Sequence, residues 1–322
     1  MSYKPARWLP GPHAMTIFAH LVRPRLALSP RRERWELDDG DFLDVDRHGD
    51  PAAPTVVVLH GLESSSRAPY VKRMVAAARA LGLAALAVNF RGCSGEPNRL
   101  PRLYHSGDTS DLARVVARLA AERPGRPLAL AGFSLGANVV AKWVGERGDA
   151  LPAEVRAAAA ICAPYDLAAC GAAMDRAGGL GLVYRERFLR SLRAKALAKL
   201  ARFPHLPLDG RAIRACRTFL SIDEAVTAPL HGFASAAEYY ARSSSGPLLG
   251  GVRRPLLALS AEDDPMIPRA SIPVERARAN PAVLLETYPA GGHVGFISGL
   301  PWRLEFYGEA RAAAFLADAL RR

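Results

Sequence analysis

Three short stretches carry residue types that together could attack an acyl carbonyl. Residues 130–138, LAGFSLGAN, set Ser134 between Gly132 and Gly136 directly after an apolar run. A strand that turns sharply into a helix needs glycines two before and two after its apex, and it leaves the apical Oγ exposed above the sheet. A serine hydroxyl is a weak nucleophile near neutral pH, so it needs a histidine base and a carboxylate to hold that histidine's tautomer. Residues 260–268, SAEDDPMIP, supply Asp263 and Asp264, and residues 290–296, AGGHVGF, supply His293. The order serine, acid, histidine is the one that a nucleophile on such a turn uses. Either aspartate could serve: the following PMIP favours Asp264, with Asp263 as a hydrogen-bonding or capping neighbour, whereas the count from the strand end allows Asp263.

The tetrahedral intermediate of acyl transfer also needs backbone N–H donors. Leu135 follows the serine, and HGLESSS (60–66) offers the amide of Leu62, with Gly61 allowing close approach to substrate. His60 ends an apolar run and reads as part of that loop's architecture. His13, His20, His48, His105, His205 and His231 have no comparable placement and read as solvated or hydrogen-bonded side chains.

These residues need a scaffold that delivers several loops to one edge. Residues 34–46, RWELDDGDFLDVD, alternate polar and apolar residues around a DDG turn, which predicts an antiparallel hairpin. Near-continuous apolar runs follow at 55–61, 83–90, 127–133, 157–164, 255–261 and 282–289. Such runs suit strands buried on both faces of a parallel sheet. Helical patterns lie between them at 69–81, 108–121 and 136–147, and another covers 303–321. Alternating strand and helix predicts an α/β fold whose ligands bind beyond the carboxyl ends of the strands. Serine, acid and histidine all fall there.

One interval breaks the rhythm, because residues 165–254 are far longer than an ordinary crossover. The expected organisation is therefore a core in two parts, 1–165 and 251–322, with a mainly helical lid at 166–250. Within the lid, 184–203 places Phe188, Leu189, Leu192, Ala196, Leu200 and Phe203 on one stripe, with Arg and Lys between them. That basic face reads as solvated and could make weak contact with an anionic membrane surface.

The formal net charge of +12, from 43 Lys and Arg against 31 Asp and Glu, is spread along the chain without interleaved aromatics. Nucleic acid is therefore not an expected partner. The four cysteines lack metal-site spacing and no HExxH pair occurs, so neither a metal nor a disulfide framework is expected. The glycines form no phosphate cradle, and no cofactor is expected. No apolar run of about 18 residues and no signal-peptide core is found, which makes the cytoplasm the expected location. Oligomeric state leaves no mark on the sequence.

A series of blocks in order carries a wider likeness: LPGPHAMTIFAHLVRP (9–24), HGLESSSRAPY (60–70), NFRGCSGEPNR (89–99), YHSGDTSDL (104–112), GFSLGANVVAKW (132–143), SIDEAVTAPLHGFASAAEYY (221–240), DDPMIP (263–268) and GGHVGF (291–296). With these the sequence resembles the YheT-like branch of the α/β-hydrolases, also called the AB-hydrolase family 4 group. The resemblance implies the α/β-hydrolase fold, a mostly parallel sheet with an antiparallel leading hairpin and a helical lid insertion. It also implies a Ser134, Asp264, His293 triad acting on acyl esters or lipid-like substrates. Arg91, His105 and Asp108 sit in marked blocks without a chemical task and are expected to shape loops. Two other uses of the same fold stay open: acyl transfer to an acceptor other than water, and an inactive protein that binds a hydrophobic ligand.

Overall fold

A computed structural model describes residues 3–22 and 28–322. Arg23 and Pro24, the end of the 9–24 block, lie outside the described residues. In chain order the elements are α1 (Gly11–Leu21), β1 (Arg31–Glu36), β2 (Phe42–His48), β3 (Thr55–Leu59), α2 (Pro69–Ala80), β4 (Ala84–Val88), α3 (Ser110–Glu122), β5 (Leu128–Phe133), α4 (Leu135–Arg147) and β6 (Val155–Ile161). A helical section follows: α5 (Leu167–Arg176), α6 (Leu180–Arg202), α7 (Gly210–Ala215), α8 (Phe219–Ile222), α9 (Ala228–His231) and α10 (Ala236–Ser243). The chain then returns through β7 (Leu256–Ala261), α11 (Val274–Arg278), β8 (Val283–Tyr288), β9 (Ile297–Leu300), β10 (Arg303–Phe306) and α12 (Tyr307–Arg321).

Eight strands form one sheet in the order β1-β2-β4-β3-β5-β6-β7-β8. The hairpin β1–β2 is antiparallel, and β3 through β8 run parallel to one another. This is the parallel α/β sheet with a leading hairpin expected from the run pattern, in the α/β-hydrolase arrangement that the resemblance implies. The central strands are apolar throughout because both of their faces are covered. Along β3, Val57 and Leu59 pack with α3 and α4, while Val56 and Val58 pack with α2 and α12. Each such buried side chain contributes about 1.5–3 kcal/mol.

Two details differ from the sequence reading. Residues 303–306 are strand, not helix: Arg303–Phe306 pairs antiparallel with Ile297–Leu300, and α12 starts only at Tyr307. Leu304 and Phe306 pack beside Ala6, Met15 and Ile297, so tertiary burial overrides the helical composition that follows. Helix α1, to which sequence patterning assigned no element, opens with a proline in its first turn and buries Met15, Thr16 and Ala19.

The long helix α6 carries the expected apolar stripe, with Leu189 and Ala196 buried in a small core shared with Ile213, Cys216, Ile222 and Val226. Its basic face is not uniformly solvated, however. Lys199 is buried and donates to the carbonyl oxygens of Asn98 and Leu100, and Lys195 pairs with Glu63 at 2.9 Å. Arg187, Arg190 and Arg202 remain exposed. Burial pushes the Lys199 amine down to about 8.

Candidate active site

Ser134 stands at the apex between β5 and α4 with φ 53° and ψ −120°, a backbone conformation that ordinary side chains resist. The flanking glycines have a steric cause that distances make explicit. A Cβ on Gly132 would lie 2.3 Å from the carbonyl oxygen of Gly136, and one on Gly136 would lie 2.5 Å from that of His60. The turn therefore tolerates no side chain on either flank. The Ser134 amide donates to Ile161 O at 2.9 Å, which ties the apex to β6.

His293 Nε2 lies 2.8 Å from Ser134 Oγ, and His293 Nδ1 lies 2.8 Å from Asp264 Oδ2. Asp264 and His293 are both buried. The other Asp264 oxygen, Oδ1, accepts the amides of Met266 at 2.8 Å and Ile267 at 3.2 Å, which fixes the carboxylate's rotation. Asp263 points elsewhere: its Oδ1 accepts the amides of Gly291 and Gly292 at 2.8 and 2.9 Å. The first aspartate staples the β7 loop to the histidine loop, and the second faces the imidazole. Burial pushes the Asp263 carboxyl up, against the pull of those two amides.

The histidine loop is held from two further sides that the sequence did not disclose. Thr16 Oγ1, on α1, accepts the amide of His293 at 2.9 Å while donating to Pro12 O at 2.7 Å. Cys162 Sγ, just past β6, accepts the amide of Val294 at 3.3 Å. Among the described residues, Cys162, Asp264 and His293 have ligand atoms within 4.8 Å of one another. His293 and Asp264 are bonded to each other, and Cys162 to a loop amide.

The loop at 60–66 approaches from the other side. A Cβ on Gly61 would lie 3.2 Å from Ser134 Cβ, so this loop runs against the serine. His60 is fully buried; its Nδ1 donates to Gly61 O at 2.7 Å and its Nε2 accepts the amide of Phe90 at 3.2 Å. Burial pushes His60 down to about 4, which keeps it in the neutral form this pairing needs. It is an architectural histidine, as its placement suggested. Glu63, with φ 51°, accepts from Tyr104 OH at 2.8 Å and bonds Lys195 and Ser191 of α6. Neither the Leu62 nor the Leu135 amide donates to a protein group among the described residues. Leu135 opens α4, whose amide dipoles point toward the reacting centre.

The other marked blocks build walls. Arg91 is completely buried and binds Asp39, Asp41 and both oxygens of Asp111. Tyr239 OH accepts the amide of Ser106 at 3.1 Å, while His105 packs against His231 with centroids 4.6 Å apart and the rings tilted by 56°. Burial pushes these two histidines down to about 4 and about 3.

Two cavities meet at Ser134 and His293. One, of about 140 Å³, runs beneath α5 and α6 between Leu62, Met174, Phe188, Leu192 and Ile267. The other, of about 370 Å³, opens beside α1 between Ile17, Leu21, Tyr184 and Arg187. A larger hollow of about 940 Å³ between α5, α10 and the 270–273 segment reaches neither residue. The arrangement can therefore bring an acyl group to the half-buried Ser134 Oγ from an apolar chamber, with a candidate base within one hydrogen bond.

A family model described as "alpha/beta hydrolase fold" matches residues 54–300. The chain is 37% identical over 321 residues to the Escherichia coli (strain K12) protein named "Putative esterase YheT", covering 98% of this chain and 93% of that one. It is 31% identical over 271 residues to the "Monoacylglycerol lipase" of Saccharomyces cerevisiae, covering 81% of this chain and 60% of that one. Among solved structures, a Pyrococcus furiosus esterase superposes with a TM-score of 0.58 at 19% identity, over 92% of this chain and 97% of that one, a likeness of fold. No helix among the described residues is long and apolar enough to cross a membrane.

Proposed function

The chain belongs to the α/β-hydrolase fold family, in its YheT-like branch, and from that premise we propose that it is a carboxylic ester hydrolase working through Ser134, His293 and Asp264. The observation that carries this reading is the unbroken relay from Asp264 Oδ2 to His293 to Ser134 Oγ, two contacts of 2.8 Å each. The names of the relatives, an esterase and a lipase, agree with an ester as substrate.

In the proposed cycle Ser134 Oγ attacks the ester carbonyl carbon as its proton passes to His293 Nε2. Asp264 keeps the Nδ1 proton on the imidazole and stabilises the imidazolium that forms. The amides of Leu62 and Leu135 receive the developing oxyanion. The C–O bond to the alcohol then breaks, and His293 returns the proton to the leaving oxygen. Water, deprotonated by the same nitrogen, cleaves the acyl-enzyme and restores Ser134. The 166–250 section acts as the lid over this chamber. The exposed Arg187 and Arg190 of α6 give that lid a weak attraction to anionic membrane surfaces.

Labelling with a fluorophosphonate, followed by mass spectrometry of the adduct, tests the assignment. An adduct on Ser134 that disappears in Ser134→Ala and weakens in His293→Ala is expected. A folded protein that takes no label, or takes it elsewhere, would overturn it. Product analysis with and without added alcohols separates hydrolysis from acyl transfer.

A further inference from the structure

The block SIDEAVTAPLHGFASAAEYY (221–240) has no task in the ester chemistry, yet it reaches the chamber. Between α8 and α9 the chain makes a wide π-helical turn over Asp223–Thr227, a feature concentrated at functional sites. Asp223, at the head of that turn, lines the 140 Å³ cavity that Ser134 and His293 also line. It is the only carboxylate among the residues lining that cavity, and no Lys or Arg lines it.

The two groups bonded to this carboxylate are neutral hydroxyls, Tyr240 OH at 2.8 Å on Oδ2 and Thr227 Oγ1 at 2.6 Å on Oδ1. An ionised carboxylate offers about four acceptor sites, so about two remain unused. The nearby charged group is another acid, Asp175, whose carboxylate caps the amides of Phe219 and Leu220. Burial, and to a lesser degree this neighbour, push Asp223 up to about 6 against the pull of the two hydroxyls. Asp223 is half-buried, so these open acceptor sites face the chamber, where a donor on a bound molecule can meet them. The rings of Phe219, Tyr239 and Tyr240 share the lining, a setting that also suits a cation.

We propose that Asp223 selects the substrate: the portion held under the lid ends in a hydrogen-bond donor, a hydroxyl or an ammonium, and not in bare hydrocarbon. This rests on the ester-hydrolase reading of Ser134. Asp223 is then a specificity residue remote from the reacting bond, and the lid chamber is amphipathic rather than a plain acyl slot.

The test measures kcat/KM for two ester series. The first varies the acyl end: 4-nitrophenyl hexanoate, 6-hydroxyhexanoate and 6-aminohexanoate. The second varies the alcohol end: propyl and 3-hydroxypropyl hexanoate, with 3-aminopropyl hexanoate. In one series the wild type should prefer a polar-ended ester over its apolar match by about tenfold or more, and Asp223→Asn should erase that ratio. The hydroxyl and amino arms show which donor is used. Because the readout is a ratio within one protein, a general loss of folding cancels. Preference for the apolar ester in both series, or a polar preference unchanged in Asp223→Asn and Asp223→Leu, would overturn the proposal. Should the wild type cleave none of these esters, the ester reading fails, and calorimetry on Ser134→Ala decides about Asp223. Tighter binding of 1,6-hexanediol or hexylamine than of 1-hexanol, lost on adding Asp223→Asn, upholds the donor site; equal binding overturns it.

Discussion

The elbow at the sheet edge and the lid above it are held by different forces. At the elbow, backbone sterics decide: Gly132 and Gly136 leave no room for any Cβ, and Ser134 keeps a strained φ of 53°. On the lid side, charged and hydroxyl side chains decide: Lys195 and Ser191 on Glu63, and Lys199 on two carbonyls of the 98–100 loop. Backbone packing has one solution, whereas side-chain pairs can break and reform singly. On the proposed function, the reacting atoms sit on the rigid part, and what enters the chamber is set by the adjustable part.

The largest test of that division removes chemistry without touching the frame. Ser134→Ala and His293→Ala should each lower kcat by about 10⁴ to 10⁶ with the unfolding midpoint nearly unchanged. Asp264→Asn should cost about 10⁴, because the amide would favour the wrong imidazole tautomer. Asp263→Asn should cost far less in kcat, since its contacts are loop amides. Equal losses from the two aspartates would mean that the staple and the acid are not separate, and would blur the comparison at its root.

Next in size is the frame itself. Arg91→Met leaves Asp41 buried without its cation and Asp111 with only the longer 3.4 Å contact to Arg114, and breaking such a cluster costs about 3–5 kcal/mol. Denaturant unfolding of the variant measures this directly. A loss below about 1 kcal/mol would show that the cluster relaxes, contrary to a rigid lower half.

How much of this could be read in the sequence follows the same division. The central strands were legible because burial on both faces writes continuous apolar runs, as in Val56–Leu59 and Leu128–Phe133. The elbow was legible because its steric rule is local and fixes residue types at set spacing. Asp264 and Asp263 stayed ambiguous, since adjacent identical residues differ only in where a loop points them. Thr16 and Cys162 left no signal, because they act on the histidine loop from positions 277 and 132 residues away in sequence. Lys199 read as a solvated base on an amphipathic face, and only the folded 98–100 loop reveals the carbonyls that take it inward. Local backbone rules are written in the sequence, and long-range side-chain pairings are not.

Acidification should strain the frame. His60 holds its neutral form down to about 4 in the folded protein, against about 6.5 when unfolded. Between those values the unfolded chain binds a proton that the folded chain refuses, so stability is full above about pH 6.5 and falls as pH drops toward 4. The loss from His60 alone approaches about 3 kcal/mol by pH 4. Burial lowers His20, His105 and His231 as well, and they push in the same direction. Urea midpoints that stay level from pH 7 to pH 4.5 would contradict this.

The smallest expected effect is the most informative about the seam between the two regions. Lys195→Met removes the cation from Glu63 but leaves it the hydroxyls of Tyr104 and Ser191. A half-buried ion pair of this kind is worth little to global stability, about 1 kcal/mol. Glu63 nevertheless follows Leu62 directly and carries the strained backbone of the oxyanion loop. If the lid positions that loop, kcat should fall by about tenfold while KM for a small ester moves little, because the lost contact acts on the transition state. A raised KM with unchanged kcat would instead make Lys195 part of the chamber wall, and the seam would then govern entry rather than reaction.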